Sequence, residues 1–200
     1  MRILIIGGNG TIGKKVAKNF DHNHEVIIAG RSSGDVHVDI ANSNSIEELF
    51  DDIGRVDAIV NIAGDAKWDY FNNLKEDDYY VGIKSKLMGQ VNLARIGLKY
   101  LNSKGSITLT TGILADDPVE KTASAAMVNG AIHSFVKAVA LELENGQRIN
   151  VVSSGMVQDA YEKYRDYFPG HSPIPMEKVV RGYERSIHGK NNGEVIRIYE

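Results

Sequence analysis

Short apolar runs alternate along this chain with longer stretches in which apolar residues recur every three or four positions. Ile3 to Ile6 is a run suited to a buried strand. Thr11 to Phe20 follows as a helix with Val16, Ala17 and Phe20 on one side. Glu25 to Ala29 and Val36 to Asp39 predict two more strands, separated by the turn Gly30-Arg31-Ser32-Ser33-Gly34. Ser43 has the chemistry of a helix N-cap, and Ile46, Leu49, Phe50 and Ile53 supply the apolar stripe behind it. Strands are expected at 57–61, 106–109, 149–152 and 194–199, and helices from about Glu76 to Leu101, Thr122 to Glu144 and Met176 to His188. Strands alternating with helices predict an α/β fold: a single-domain, Rossmann-like, doubly wound sheet of seven mainly parallel strands with helices on both faces.

The stretch 159–175 breaks this rhythm. It carries Tyr161, Tyr164, Tyr167 and Phe168 and ends in Pro169, Pro173 and Pro175. Two readings stand side by side, a lid over a site and an apolar flap packed on the core.

Composition narrows the function. The 200 residues suffice for one domain with a hydrophobic core, and the 42% hydrophobic and 24% charged residues are those of an ordinary soluble globule. A net charge of -3 gives no electrostatic reason to expect a nucleic acid partner. With no cysteine there is neither a disulfide framework nor a thiolate metal site, and the histidines show no metal-ligand spacing. The apolar run before Gly7 is too short for a signal peptide, and no stretch spans a bilayer, so the expectation is a cytoplasmic protein with no membrane partner.

The sharpest motif is Gly7-Gly8-Asn9-Gly10-Thr11-Ile12-Gly13, which follows the first strand and opens the first helix. It satisfies G-x-G-x-x-G through Gly8, Gly10 and Gly13. A pyrophosphate needs this: glycines let the backbone approach, and the helix start presents free N–H groups and partial positive charge. The plainer alternative is a structural glycine turn. After the second strand stand Arg31 and Ser32 where an acidic residue would meet a free ribose 2′-hydroxyl. A guanidinium suits a 2′-phosphate, so NADP(H) is favoured over NAD(H). Asp39 is placed to meet an adenine amino group.

With these residues in view, the chain resembles the short-chain dehydrogenase/reductase family over essentially its whole length. Asn61-Ile62-Ala63-Gly64 resembles the family's Asn-Asn-Ala-Gly motif, and Ala138 to Leu143 resembles the end of its long fifth helix. Asn150 to Gly155 resembles the segment beside the nicotinamide, with Ser154 in place of a proline. The resemblance implies cofactor contacts from Asn61, Ala63, Gly64, Gly155 and Val157. It also implies a small carbonyl substrate and a homodimer or homotetramer.

The family's proton-transfer residues are a Tyr-x-x-x-Lys pair, a serine and an asparagine. Counted from the flanking motifs, these four positions fall on Ala125, Asn129, Gly112 and Lys86. All four depart from the family pattern, and the chain is similar to a subgroup that has the glycine loop without the usual active-site residues. Lys86 and Thr111 remain as substitute donors. Against them stand the plainer readings of a solvated lysine and an ordinary strand-end threonine. Tyr80-Val81-Gly82-Ile83-Lys84 is a Tyr-x-x-x-Lys string in the wrong segment, and His133 lies one helical turn beyond Asn129. Three readings stay open: an NADP(H)-dependent oxidoreductase with an atypical donor, a noncatalytic NADP(H)-binding sensor or scaffold, and a structural dimer that has lost the cofactor.

Overall fold

The computed structural model describes residues 1–200. Its strands are β1 (Arg2–Ile6), β2 (Glu25–Gly30), β3 (Val36–His37), β4 (Val56–Asn61), β5 (Leu101–Gly112), β6 (Arg148–Ser154) and β7 (Val195–Ile198). They form one sheet in the order β3-β2-β1-β4-β5-β6-β7. Every neighbouring pair is parallel. The helices are α1 (Thr11–Asp21), α2 (Ser43–Ile53), α3 (Glu76–Gly82), α4 (Gly89–Gly97), α5 (Ala123–Val139), α6 (Tyr161–Tyr164) and α7 (Met176–His188).

Alternation of side chains across the sheet builds two cores. Leu4 and Ile6 of β1 join Phe50 of α2, Leu93 of α4 and Val136 of α5 on one face. Ile3 and Ile5 point the other way and join Phe20 of α1 and Tyr183 of α7. Each such side chain is worth roughly 1.5–3 kcal/mol when fully buried. Because β1 pairs β2 on one side and β4 on the other, the connections diverge and leave a crevice at the carboxyl ends of the strands.

Several expected boundaries shift. The α2 N-cap is Asn42, whose side chain accepts from the Asn44 N–H, and Ser43 is the first helical residue. The third strand keeps only Val36 and His37, because the Asp39 N–H donates to Ser45 Oγ and the Asp39 carboxylate folds back to accept from the Ala41 N–H. The helical region expected over 76–101 is broken by a π turn, Ile83–Met88, and has ended by Tyr100, whose carbonyl accepts the Val56 N–H as the chain enters the sheet. Helix α5 stops at Val139 rather than Glu144; just beyond it the Ala140 carbonyl accepts from the Asn192 side chain.

Candidate active site

The glycine loop is built by close backbone contact. Gly7 sits at φ +81°, and a Cβ there would lie 3.0 Å from the Ala63 nitrogen. A Cβ on Gly13 would fall 2.1 Å from the Gly7 carbonyl oxygen. Gly10 caps α1 without any side-chain bond, and its own N–H donates to Gly7 O at 3.0 Å. The first helix bond runs from Lys14 N–H to Gly10 O, so the amides of Thr11, Ile12 and Gly13 have no acceptor in the chain. Free amides at a helix start, reached over side-chain-free backbone, fit an anionic phosphate group.

That loop opens onto a cleft of about 420 Å³ lined by Gly7, Asn9, Gly10, Arg31, Ser32, Asp39, Ala63 and Gly64, among others. Asn9 Nδ2 donates to Ser33 Oγ at 3.1 Å, tying the loop to the turn after β2. Arg31 is exposed and takes part in no ion pair. Gly8 and Gly13 are buried behind the loop and Ile12 is half-buried, all three outside the lining. Asn61 is fully buried, with its Nδ2 donating to Ala63 O at 2.8 Å and its Oδ1 without a partner. Gly155 and Val157 line neither this cleft nor its neighbour, and Val157 bridges instead to Ile174.

The neighbouring cleft, about 550 Å³, shares Gly64 and Asp65 with the first. It brings together Lys86, Gly112, Ala125 and Asn129, the four positions counted from separate motifs, with Thr111 beside them. Its outer wall is aromatic. Tyr164 and Tyr167 of the irregular 158–175 segment pack on Trp68, with ring centroids 5.7 and 6.0 Å away. Phe168 of the same segment is buried with Ile113, Leu114, Ala125 and Met156. The segment therefore packs on the core and shades the cleft at once.

Lys86 lies in the π turn between α3 and α4, a local widening that often marks functional positions. Gly64, at φ +132°, brings bare backbone against it; a Cβ there would lie 3.0 Å from Lys86 Cα. Lys86 makes no ion pair. Burial is the larger influence on its ammonium and pulls the pKa down to about 8, with Asp65 pulling the other way. Thr111, only 4% exposed, shares a 2.8 Å hydrogen bond between its Oγ1 and His133 Nε2. Asn129 is 3% exposed, and its Oδ1 has no partner. A buried acceptor without a partner, on a residue that lines the cleft, would be satisfied by a donor such as a sugar hydroxyl once the side chain turns to meet it.

The sequence offers His133 only as a core or interface histidine beside Asn129; in the structure it lies outside the cleft lining and reaches the site through its bond to Thr111. Its signal was the i, i+4 spacing from Asn129, which puts both on one helix face. The Tyr80 and Lys84 string is excluded from both clefts: Tyr80 OH donates to Glu76, and Lys84 Nζ lies 5.9 Å from the Tyr80 ring. Among His, Asp and Glu, no group of three is placed to hold a metal ion. No helix is long and apolar enough to cross a membrane.

A family model described as Enoyl-(Acyl carrier protein) reductase matches residues 11–177. The crystal structure of the protein lin1944 from Listeria innocua is similar with a TM-score of 0.98 and 45% identity over 100% of both chains. A small-chain dehydrogenase in complex with NADPH is similar with a TM-score of 0.87 and 27% identity, covering 99% of this chain and 96% of the other. Glucose and ribitol dehydrogenase homolog 2 of Arabidopsis thaliana is 28% identical over 113 residues, 56% of this chain and 39% of its own length. The chain thus spans well under half of that curated relative. The family match extends from the start of α1 into α7 and takes in strands β2 to β6, and the chain belongs to the short-chain dehydrogenase/reductase family.

Proposed function

We propose that the protein is an NADP(H)-dependent oxidoreductase acting on a small carbonyl compound, with Lys86 and Thr111 standing in for the proton-transfer residues usual in its family. One observation carries this reading. Lys86, Thr111, Gly112, Ala125 and Asn129 line a single cleft that opens through Gly64 and Asp65 onto the glycine-loop cleft.

The amides of Thr11, Ile12 and Gly13 and the bare backbone of Gly7 and Gly10 would hold a pyrophosphate, with Gly8 packed behind them on Ile28. Arg31 and Ser32 would meet a 2′-phosphate, and the NADPH held by a structural relative supports that choice. Asp39 would face the adenine, with Ala63 and Gly64 forming the wall beneath and Asn61 buried behind them, bonded to Ala63. Asn129 Oδ1 would accept a ribose hydroxyl. Gly155 and Val157 have no cleft lining to support the contacts expected of them.

A dinucleotide held by the glycine-loop cleft would supply hydride chemistry. The chain's own part is to place a carbonyl oxygen between the Lys86 ammonium and the Thr111 hydroxyl. An ammonium lowered to about 8 is still mostly protonated at neutral pH, and it gives up its proton more readily than a solvated lysine. Thr111 contributes a hydrogen bond where negative charge develops on the oxygen. The aromatic wall of Trp68, Tyr164 and Tyr167 limits water at the reacting centre.

Incubation with NADPH and a broad carbonyl and quinone panel tests the reading by absorbance at 340 nm. Loss of absorbance with at least one carbonyl, reduced tenfold or more in Lys86→Met, supports it; no loss above the buffer control removes it. The second reading is a noncatalytic NADP(H)-binding sensor or oligomeric scaffold. It is favoured by Ala125 and Asn129, which leave α5 without an acid facing the cleft. Assembly into a homodimer or homotetramer belongs to either reading, and the exposed Met88 and Met127 offer apolar surface for it. A cytoplasmic location suits a chain without cysteine.

A further inference from the structure

A hydroxyl donates one hydrogen, and Thr111 has two claimants for it. His133 Nε2 is 2.8 Å from Thr111 Oγ1, and Thr111 also lines the cleft. If the imidazole carries its hydrogen on Nδ1, Nε2 is bare and takes the Thr111 hydrogen, and the cleft sees only an oxygen lone pair. If Nε2 carries a hydrogen, that hydrogen goes to Thr111 Oγ1 and the hydroxyl hydrogen is free to turn into the cleft. A carbonyl oxygen is met favourably only in the second state.

We propose that His133 is a positioning residue that donates through Nε2–H to Thr111 and so turns the Thr111 hydroxyl hydrogen toward the substrate oxygen. This rests on the oxidoreductase reading and adds a residue to it. Nδ1 of His133 has no hydrogen-bond partner in the chain and is not among the buried atoms left unpaired, so it keeps a face on solvent. Solvent at Nδ1 satisfies that atom in either tautomer, so the Nε2–H form strands no group and the choice is set by what Thr111 must do for the substrate oxygen. Full protonation also forces the donor state, since both ring nitrogens then carry hydrogen.

The charged groups facing the imidazole are Asp116 beyond β5, Arg197 of β7 and Lys137 of α5 itself. Burial is the largest influence and lowers the His133 pKa, Asp116 opposes it, and Arg197 and Lys137 reinforce it. Asp116 is pinned by two hydrogen bonds from Arg197 at 2.9 and 3.0 Å and one from Tyr199 OH. Its own pKa is held down at about 2, so the field on His133 is constant across the working pH range. Titration of His133 adds a hydrogen at Nδ1 and leaves the Nε2–H donor to Thr111 in place, so the proposed polarity of Thr111 holds in both charge states.

Two measurements decide the matter. The first needs no activity: 15N NMR of the histidine ring in the cofactor-free protein. Nε2 protonated at neutral pH, with a resonance that moves in Thr111→Val, is expected; an Nδ1–H ring donating nothing to Thr111 overturns the proposal. The second is the pH profile of kcat/KM for NADPH-dependent carbonyl reduction. His133→Gln keeps an N–H donor and is expected to stay within about threefold of wild type across the profile. His133→Phe is expected to lose tenfold or more in kcat with KM for NADPH unchanged. A Phe variant with the wild-type profile also overturns the proposal. Should no carbonyl be reduced by the wild type, the oxidoreductase reading falls, and the ring tautomer still reports on His133 by itself.

Discussion

Gly13 sits directly beneath Gly7: any side chain at Gly13 would place its first carbon 2.1 Å from the Gly7 carbonyl oxygen and 2.8 Å from Gly8 Cα. The obstacles are backbone atoms, which cannot step aside as a flexible side chain would. The third glycine of the motif is thus what lets α1 start close against the loop. Gly13→Ala is expected to push the loop off the helix start. We expect a loss of roughly 1–3 kcal/mol in stability and at least a tenfold weaker NADPH affinity, read by thermal melting and fluorescence titration.

Arg31 is unpaired and stands beside the cleft wall formed by Ser32 and Ser33. A charge-assisted bond to a 2′-phosphate is worth roughly 1.5–3 kcal/mol. Arg31→Gln should therefore weaken NADPH by about tenfold to a hundredfold and leave NADH within about twofold. Parallel titrations with the two dinucleotides check this; equal losses for both would remove the 2′-phosphate role.

Lys86 links activity and stability to pH with opposite signs. Its folded pKa, about 8, is below the ordinary 10.5, so the proton donor is present below pH 8 and lost as pH rises through that value. Carbonyl reduction should fall along that limb, and Lys86→Met should abolish the limb. For stability, the unfolded chain binds more protons between pH 8 and 10.5, so the wild type gains stability with rising pH in that window. Lys86→Met should melt higher than wild type at pH 7, and the difference should shrink by pH 10.5. A methionine variant that melts lower at pH 7 would show that the ammonium is well solvated.

Asp116 is the acid-sensitive clamp. Hydrogen bonds from Arg197 are the first cause of its pKa falling to about 2 from 3.8, and burial opposes them. A depressed carboxyl stabilises the fold above the unfolded value and loses that contribution as pH drops from about 4 toward 2. The side chains remain 33% and 46% exposed, so the pair is worth about 1 kcal/mol or less. Asp116→Asn should melt slightly lower at pH 7 and coincide with wild type near pH 2. It should also lower the His133 pKa further, because Asp116 is the group that raises it.

Much of this was readable in the residues, for reasons that differ from element to element. Helix α7 has the expected bounds, because Val179, Val180, Tyr183 and Ile187 make a one-sided stripe ending at Gly189. The glycine loop was legible because its constraint is local. The break in the helical region over 76–101 was not: periodicity continues through Ile83–Met88, and the π turn fits contacts made far along the chain, Gly64 on Lys86 and Gly89 on Ile40. The start of β5 at Leu101 was hidden likewise, since its partner Val56 lies 45 residues earlier. The convergence of Lys86, Gly112, Ala125 and Asn129 followed from counting along separate motifs. The Thr111–His133 bond did not, because a hydrogen bond between a strand end and a helix leaves no trace in local sequence.

The account stands on a dinucleotide seated at the start of α1, and titrating NADPH into the purified protein while following its fluorescence tests that most directly. Saturable binding in the micromolar range, tighter than NADH and lost in Gly13→Ala, is the predicted result. Absence of any change up to high micromolar NADPH would contradict it and leave a family fold without its cofactor.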